Sequence, residues 1–415
     1  MKIITFDPTY SFYFNDLTNS IEKVFGTKLI KECVSYNFSD RLYLPDYNFI
    51  PLGSSDLKVD DIEKYDFVRN IRSLSNVTPE VMENKKLLAN ISVYKWLENY
   101  ILDNIDSIFL IYNDLRWNHA FAIDILNKNK CKFFVFERGA FRPYSTTMDS
   151  KGVNANSEFR NMAVDSVSLK EMEILKKIFF RKRNIRHHEL RFSIFFLMKF
   201  FFWPLVNKNV KLASKTSYRK GLLDYVYFYF KKNFKRKANN ESNVDLNNDY
   251  FFVPLQLSND TQTLINSEFS NTQEFIDIIT DEFRRSNFKG THSLVFKVHP
   301  MDTNIYKFSD DVLVSNDCTT KLLDNSSGCI TINSTVGFEG IKNNPVICFG
   351  DSFYTNHGFV HKLDKRENPF LYVNNKKSVE DYNYFVLSKY QVPGSIFNYD
   401  EDDLVYTAKK ILNKI

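Results

Sequence analysis

The sequence predicts an α/β chain of two Rossmann-like halves with a central cleft, interrupted by a basic, aromatic, helical insertion. Three observations carry this expectation. Residues 107–136 spell a strand, an amphipathic helix and a second strand. Residues 251–349 repeat the alternation of short apolar strands with helices. Between them lies a block rich in Lys, Arg, Phe and Tyr that follows neither rhythm. At 415 residues the chain exceeds what a single core usually holds. The expected boundaries are 1–160, 161–249 and 250–415.

Residues 1–100 show a mixed α/β pattern without a sharp signal. Ser107–Tyr112 (SIFLIY) then reads as a buried strand, and Asn113-Asp114 as a turn or cap. Arg116–Lys128 sets Trp117, Phe121 and Ile125 four residues apart, which predicts an amphipathic helix. Cys131–Phe136 is the next strand, and a β-α-β unit predicts a parallel sheet. In the second half, strands are expected at Phe251–Leu257, Ser293–Val298, Cys329–Ile332 and Pro345–Phe349. Helices are expected at Thr272–Phe288, Ser334–Asn343 and Asp403–Ile415. Asn239–Asp249 is polar and turn-rich, and reads as the linker.

Composition narrows the function classes. Five scattered cysteines without a CxxC pair argue for a reducing compartment and against a disulfide or zinc framework. The first residues are too short and mixed for a signal peptide, and no apolar run reaches the ~20 residues of a spanning helix. A cytosolic protein working at a membrane face is expected. The net charge of +5 hides a local excess of +15 between Lys170 and Lys237, against about −10 elsewhere. Such a block suggests an anionic partner. Neither GxxxxGK[ST] nor GxGxxG occurs, the histidines lack metal-ligand spacing, and no metal or cofactor is expected.

Four strand-end clusters could carry chemistry. Glu137-Arg138-Gly139 with Arg142-Pro143 follows the second strand; Glu137 is a candidate acid or base, or half of a structural clasp with either arginine. "PLQLSND" places Gln256 and Asp260 after a strand, with Asp260 a nucleophile, a base or an N-cap. "KVHP" sets Lys297 and His299, before Pro300, on one strand face, which suits a phosphate or a surface lysine beside a satisfied histidine. "NSTVGFEG" leads into a helix whose Ser334 and Thr335 could meet phosphate and whose Glu339 could meet ribose, or serve as a plain cap.

The joint order of "YND…RWNHAFAID", "FERGAFRPYSTTMDSKGVNANS", "RHH", "FVPLQLSNDTQ", "FKVHP" and "NSTVGFEGI…PVICFGDSFY" resembles the capsule polysaccharide biosynthesis and export proteins, and within them the single-module β-Kdo transferases. The likeness spans roughly residues 105–360. One departure is Ala140-Phe141, where a Gly-aromatic pattern is expected before Arg-Pro. The resemblance implies a GT-B-type, sialyltransferase-like fold and β-Kdo transfer from CMP-Kdo to a phosphatidylglycerol-type lipid, starting the poly-Kdo linker of a capsule. It implies that Asp260 is the nucleophile and Glu137 the acid/base. Lys297, His299, Pro300, Ser334, Thr335 and Glu339 would hold CMP, while Arg138, Arg142 or Gln256 would meet the Kdo carboxylate. Two carboxylates suit retention by double displacement. Partners would be the CMP-sugar, a phospholipid acceptor, an anionic membrane and other capsule-assembly proteins, with no nucleic acid. The protein would sit peripherally on the cytoplasmic face of the bacterial inner membrane. Phe195, Phe196, Phe200–Phe202 and Trp203 would enter the bilayer, while Arg181–Arg183 and Lys231–Lys237 would meet headgroups. Open alternatives are a related transferase using sialic acid or a polyol phosphate, and a non-catalytic capsule-assembly protein.

Overall fold

A computed structural model describes residues 1–8, 10–57, 65, 68, 84–183, 189–214, 249–258, 260–302, 304–373 and 381–415. It divides into two compact units. The first comprises Met1–Val153, Ser166–Val226 and Tyr384–Ile415; the second comprises Asn154–Asp165 and Tyr227–Asn383. Both are discontinuous, where contiguous blocks 1–160, 161–249 and 250–415 were expected. The C-terminal strand and helix complete the first unit, and Ser166–Val226 also belongs to it, which separates Asn154–Asp165 from the rest of the second unit.

The first unit is built on seven strands: β1 (Lys2–Phe6), β2 (Ile30–Ser35), β3 (Asn48–Pro51), β4 (Ile108–Tyr112), β5 (Lys132–Arg138), β6 (Ser145–Asp149) and β13 (Gln391–Pro393). Their order is β13-β6-β5-β4-β1-β2-β3, parallel from β5 to β3 and antiparallel at the β6 and β13 edge. The expected β4-helix-β5 unit is present, with the helix at Trp117–Lys128. All five β4 residues are buried, as an unbroken apolar run in a sheet covered on both faces requires. One core joins this sheet to the helices Asn84–Leu102 and Trp117–Lys128. The other joins it to Tyr13–Phe25 and Glu401–Leu412.

The second unit carries β7 (Asp249–Pro254), β8 (His292–Lys297), β9 (Leu313–Val314), β10 (Gly328–Thr331), β11 (Val346–Cys348) and β12 (His361–Lys362). All pairings are parallel, in the order β12-β11-β10-β7-β8-β9. Read from β7, the chain lays two strands to one side and then returns to lay three on the other. This is the doubly wound order, with its direction reversing between β7 and β10. The expected helices appear at Thr272–Arg285 and Thr335–Gly340, each started by a side-chain cap, from Asn271 and Ser334.

The insertion is less separate than expected. Its described helices, Leu169–Phe179, Glu189–Phe202 and Lys208–Ala213, belong to the first unit. Phe195 is 1% exposed and packs edge-on against Tyr10, while Phe202 lies against Phe38 and Trp203 packs on the core. These three residues therefore do not form a bilayer-facing surface. Arg181 and Arg183 are also not placed for headgroups. Both bind the acidic start of helix Glu401–Leu412, through Asp400, Asp402 and Asp403. A helix N-terminus concentrates carboxylates, and those carboxylates take the arginines. His187-His188, Lys231–Lys237 and nearly all of the expected linker fall outside the described residues. Among the described residues no helix is long and apolar enough to cross a membrane.

Candidate functional site

Parallel α/β sheets bind ligands at the carboxyl ends of their strands, next to the point where strand order reverses. In the second unit that point lies between β7 and β10, and two sequence-predicted residues meet there. Gln256, just past β7, donates from Nε2 to Asn333 Oδ1 at 2.9 Å and to Asp260 Oδ2 at 3.3 Å. Asn333, just past β10, returns its backbone N–H to Gln256 Oε1 at 3.2 Å. Asn333 Nδ2 reaches the carbonyls of Gln262 and Asp351. Asp260 is also an N-cap, its Oδ1 accepting from the Gln262 N–H at 2.9 Å. The cap and the candidate nucleophile are thus one residue, and the two bonds fix where its carboxylate points.

Lys297 ends β8, half-buried, and its ammonium binds the carbonyl of Asp317. Burial pulls its pKa below that of an ordinary lysine. His299 lies past the strand, in a turn, where its Nδ1 accepts from the Met301 N–H at 3.1 Å. The other ring nitrogen then carries the proton. Pro300 and Glu339 are exposed. Ser334 caps its helix through Val336 N, and its carbonyl accepts from Tyr354 O–H at 2.6 Å. The glycine at 337 is required here: a Cβ would sit 2.6 Å from that tyrosine oxygen.

Asp302 is a further polar anchor of this edge. Buried, it accepts from Ser258 N (3.0 Å), Asn304 N (2.9 Å) and Tyr306 O–H (2.7 Å). It thereby ties the loop after β7 to the loop after β8. An Asp two residues past His-Pro is its only sequence signal.

In the first unit, Glu137 stands near the end of β5. It accepts from Tyr112 O–H at 3.0 Å, from Asn113 Nδ2 at 2.5 Å and from the Arg138 N–H at 3.0 Å. The clasp with an arginine side chain is not made. Arg138 is exposed and lies over the Phe397 ring, and exposed Arg142 donates to the Gly139 carbonyl at 3.4 Å. The segment after β5 turns through Gly139–Tyr144 into antiparallel β6. Buried Gln391 secures this turn from far along the chain, accepting from Ala140 N and Ser145 Oγ.

The reversal point of this sheet, between β1 and β4, holds a cluster that sequence reading missed. Asp7 Oδ2 lies 3.5 Å from His119 Nε2 and 3.7 Å from Arg116 Nη1. Ser35 Oγ lies 2.6 Å from Asp7 Oδ1 and 2.5 Å from Asp40 Oδ2. One hydroxyl hydrogen cannot serve two carboxylates, so one acid holds a proton. Burial and the Asp7 charge push Asp40 well up. Burial would raise Asp7 as well, but the His119 and Arg116 interactions overcome it and hold Asp7 down. Positions 7, 35, 40 and 119 meet only through strand order, which no local motif announces. Among the described residues no group of three or more His, Cys, Asp or Glu could hold a metal ion.

A family model described as capsule polysaccharide biosynthesis protein matches residues 108–395. The capsule polysaccharide modification protein LipB of Neisseria meningitidis serogroup A / serotype 4A is 24% identical over 285 residues, spanning 63% of this chain and 67% of that protein. The capsule polysaccharide export protein KpsS of Escherichia coli is 23% identical over 290 residues, spanning 64% and 73%. Among solved structures, Thermosulfurimonas dismutans KpsC, a beta Kdo 2,7 transferase, aligns with 88% of this chain and 99% of its own at 13% identity and a TM-score of 0.37.

Proposed function

The chain belongs to the capsule polysaccharide biosynthesis protein family, and on that premise we propose that it is a retaining glycosyltransferase of GT-B type. It moves β-Kdo from CMP-Kdo to a phosphatidylglycerol-type lipid and so starts the linker of a capsular polysaccharide. The observation that carries the reading is the Asp260–Gln256–Asn333 network at the strand-order reversal of the second sheet.

In this reading the Asp260 carboxylate attacks the anomeric carbon of Kdo, and the bond to CMP breaks with its electron pair on the phosphate. Lys297, His299 and the hydroxyls of Ser334 and Thr335 donate to that phosphate, Pro300 shapes the turn beside it, and Glu339 accepts from the ribose. Glu137 then takes the proton of the acceptor hydroxyl, whose oxygen displaces Asp260 and restores the starting configuration. Arg138, Arg142 or Gln256 meets the sugar carboxylate. The protein works peripherally at the inner face of the bacterial inner membrane. Supporting that location, Leu197 (60%), Phe201 (81%) and Leu205 (71%) point outward from the aromatic segment. The test is incubation with CMP-Kdo and a short-chain lipid acceptor. CMP release with a sugar-bearing lipid is expected; neither product would refute the reading.

A further inference from the structure

The carboxyl edge of the second sheet carries a charge arrangement that the mechanism above leaves unused. Arg160 Nη2 and Lys362 Nζ both bind one oxygen, Oδ1 of Asp351. All three residues belong to the second unit. Lys362 ends β12, and Asp351 lies three residues past β11. The Asp351 carbonyl accepts from Asn333 Nδ2 at 3.3 Å, so this cluster adjoins the network that orients Asp260.

Two cations on one carboxylate oxygen leave a surplus positive charge. Arg160 is the fixed member, with a side chain 16% exposed; it also donates to Asn356 Oδ1 and to the Ala155 carbonyl. Its Nε is buried without a hydrogen-bond partner. Lys362 is the adjustable member, 39% exposed and a point charge on a flexible stem. Neighbouring His357 adds no charge. Burial lowers its pKa, Nε2 faces the Phe159 carbonyl, and Nδ1 faces Tyr382 O–H. Lys297 and His299 lie on the other side of β7, past β8, where the phosphate contact is proposed.

We infer that Lys362, poised on Asp351 beside Arg160, recognises a carboxylate on the sugar of the donor. This inference rests on the transferase reading and adds a carboxylate contact on the donor unit itself. Lys362 turns from Asp351 to the incoming carboxylate, while Arg160 keeps Asp351 in place. A donor sugar without an acid group would gain nothing from the cluster, so it selects for acidic sugars.

The test is calorimetric titration of CMP, a non-hydrolysable CMP-Kdo analogue and the methyl ester of that analogue into wild type, Lys362→Ala and Lys362→Arg. Lys362 is exposed, so a melting temperature unchanged from wild type is expected for both variants. Wild type should prefer the acid to its ester, and Lys362→Ala should cut that preference about tenfold, the scale of one charge-assisted contact. CMP affinity should not change, and Lys362→Arg should restore the preference. An acid-to-ester ratio unchanged in Lys362→Ala overturns the inference. An equal loss for CMP and for the acid also overturns it, because the cluster would then serve the phosphate. Wild type failing to bind CMP overturns the donor reading itself, a different outcome from either.

Discussion

At the residue scale, the two candidate carboxylates occupy different surroundings and make different predictions. Glu137 is held by three donors near a strand end, and Glu137→Gln should lower transfer by 10²–10⁴-fold, the usual worth of a positioned acid/base, with the melting temperature nearly unchanged. Initial rates at saturating donor measure this. Asp302 touches no proposed substrate group but joins two donor loops, so Asp302→Ala should raise the donor KM about tenfold while kcat falls less. Stability has its own residue-scale test. Arg183 and Asp403 form a buried pair, and Arg183→Ala should cost about 2–3 kcal/mol, below the roughly 3–5 kcal/mol of a fully stranded charge, because Arg181 still binds Asp403. Burial alone would raise the Asp403 pKa, but the Arg183 and Arg181 hydrogen bonds hold it below its ordinary value. Its stabilisation is therefore complete above the unfolded value of about 3.9 and is lost as pH falls through the lower folded value. The melting-temperature gap between wild type and Asp403→Asn should be flat from pH 6 to 8 and narrow below about pH 4.

At the element scale, the aromatic helix Glu189–Phe202 shows where sequence reading stops. Both of its faces are apolar, so periodicity could not say which one is buried. The structure buries Phe195 and leaves Leu197 and Phe201 outward, about one turn apart, with Leu205 beyond. Double replacement of Leu197 and Phe201 by Asp should weaken flotation with anionic liposomes at least tenfold, since each buried apolar side chain is worth about 1.5–3 kcal/mol. Unchanged flotation would remove this face from the membrane reading. By contrast, β4, its following helix and β5 were legible, because a short unbroken apolar run marks each strand and Trp117, Phe121 and Ile125 at four-residue spacing mark the helix. The loop ends carrying Gln256, Asp260 and Asn333 were partly legible, since polar residues directly after apolar strands stand out. Asp7 with His119, and Gln391 with Ser145, were not legible: pairs separated by 112 and 246 residues meet only once the sheet exists.

At the scale of the whole molecule, the chain begins and ends in the same unit. Strand β13 pairs with β6, and helix Glu401–Leu412 packs on Tyr13–Phe25 in the core. Truncation after Asn383 should therefore unfold the first unit while the second keeps its protease resistance, as limited proteolysis with mass mapping would reveal. The doubly wound second sheet, with Asp260 tethered at its reversal point, is the centre of the functional account. Its most direct test is to mix the protein with CMP-Kdo in the absence of acceptor and map any covalent sugar by peptide mass spectrometry. A Kdo adduct is expected on Asp260 that disappears when lipid acceptor is added and never forms in Asp260→Asn. A turning-over enzyme whose adduct sits on another residue, or whose Asp260→Asn variant transfers sugar at the wild-type rate, would contradict it.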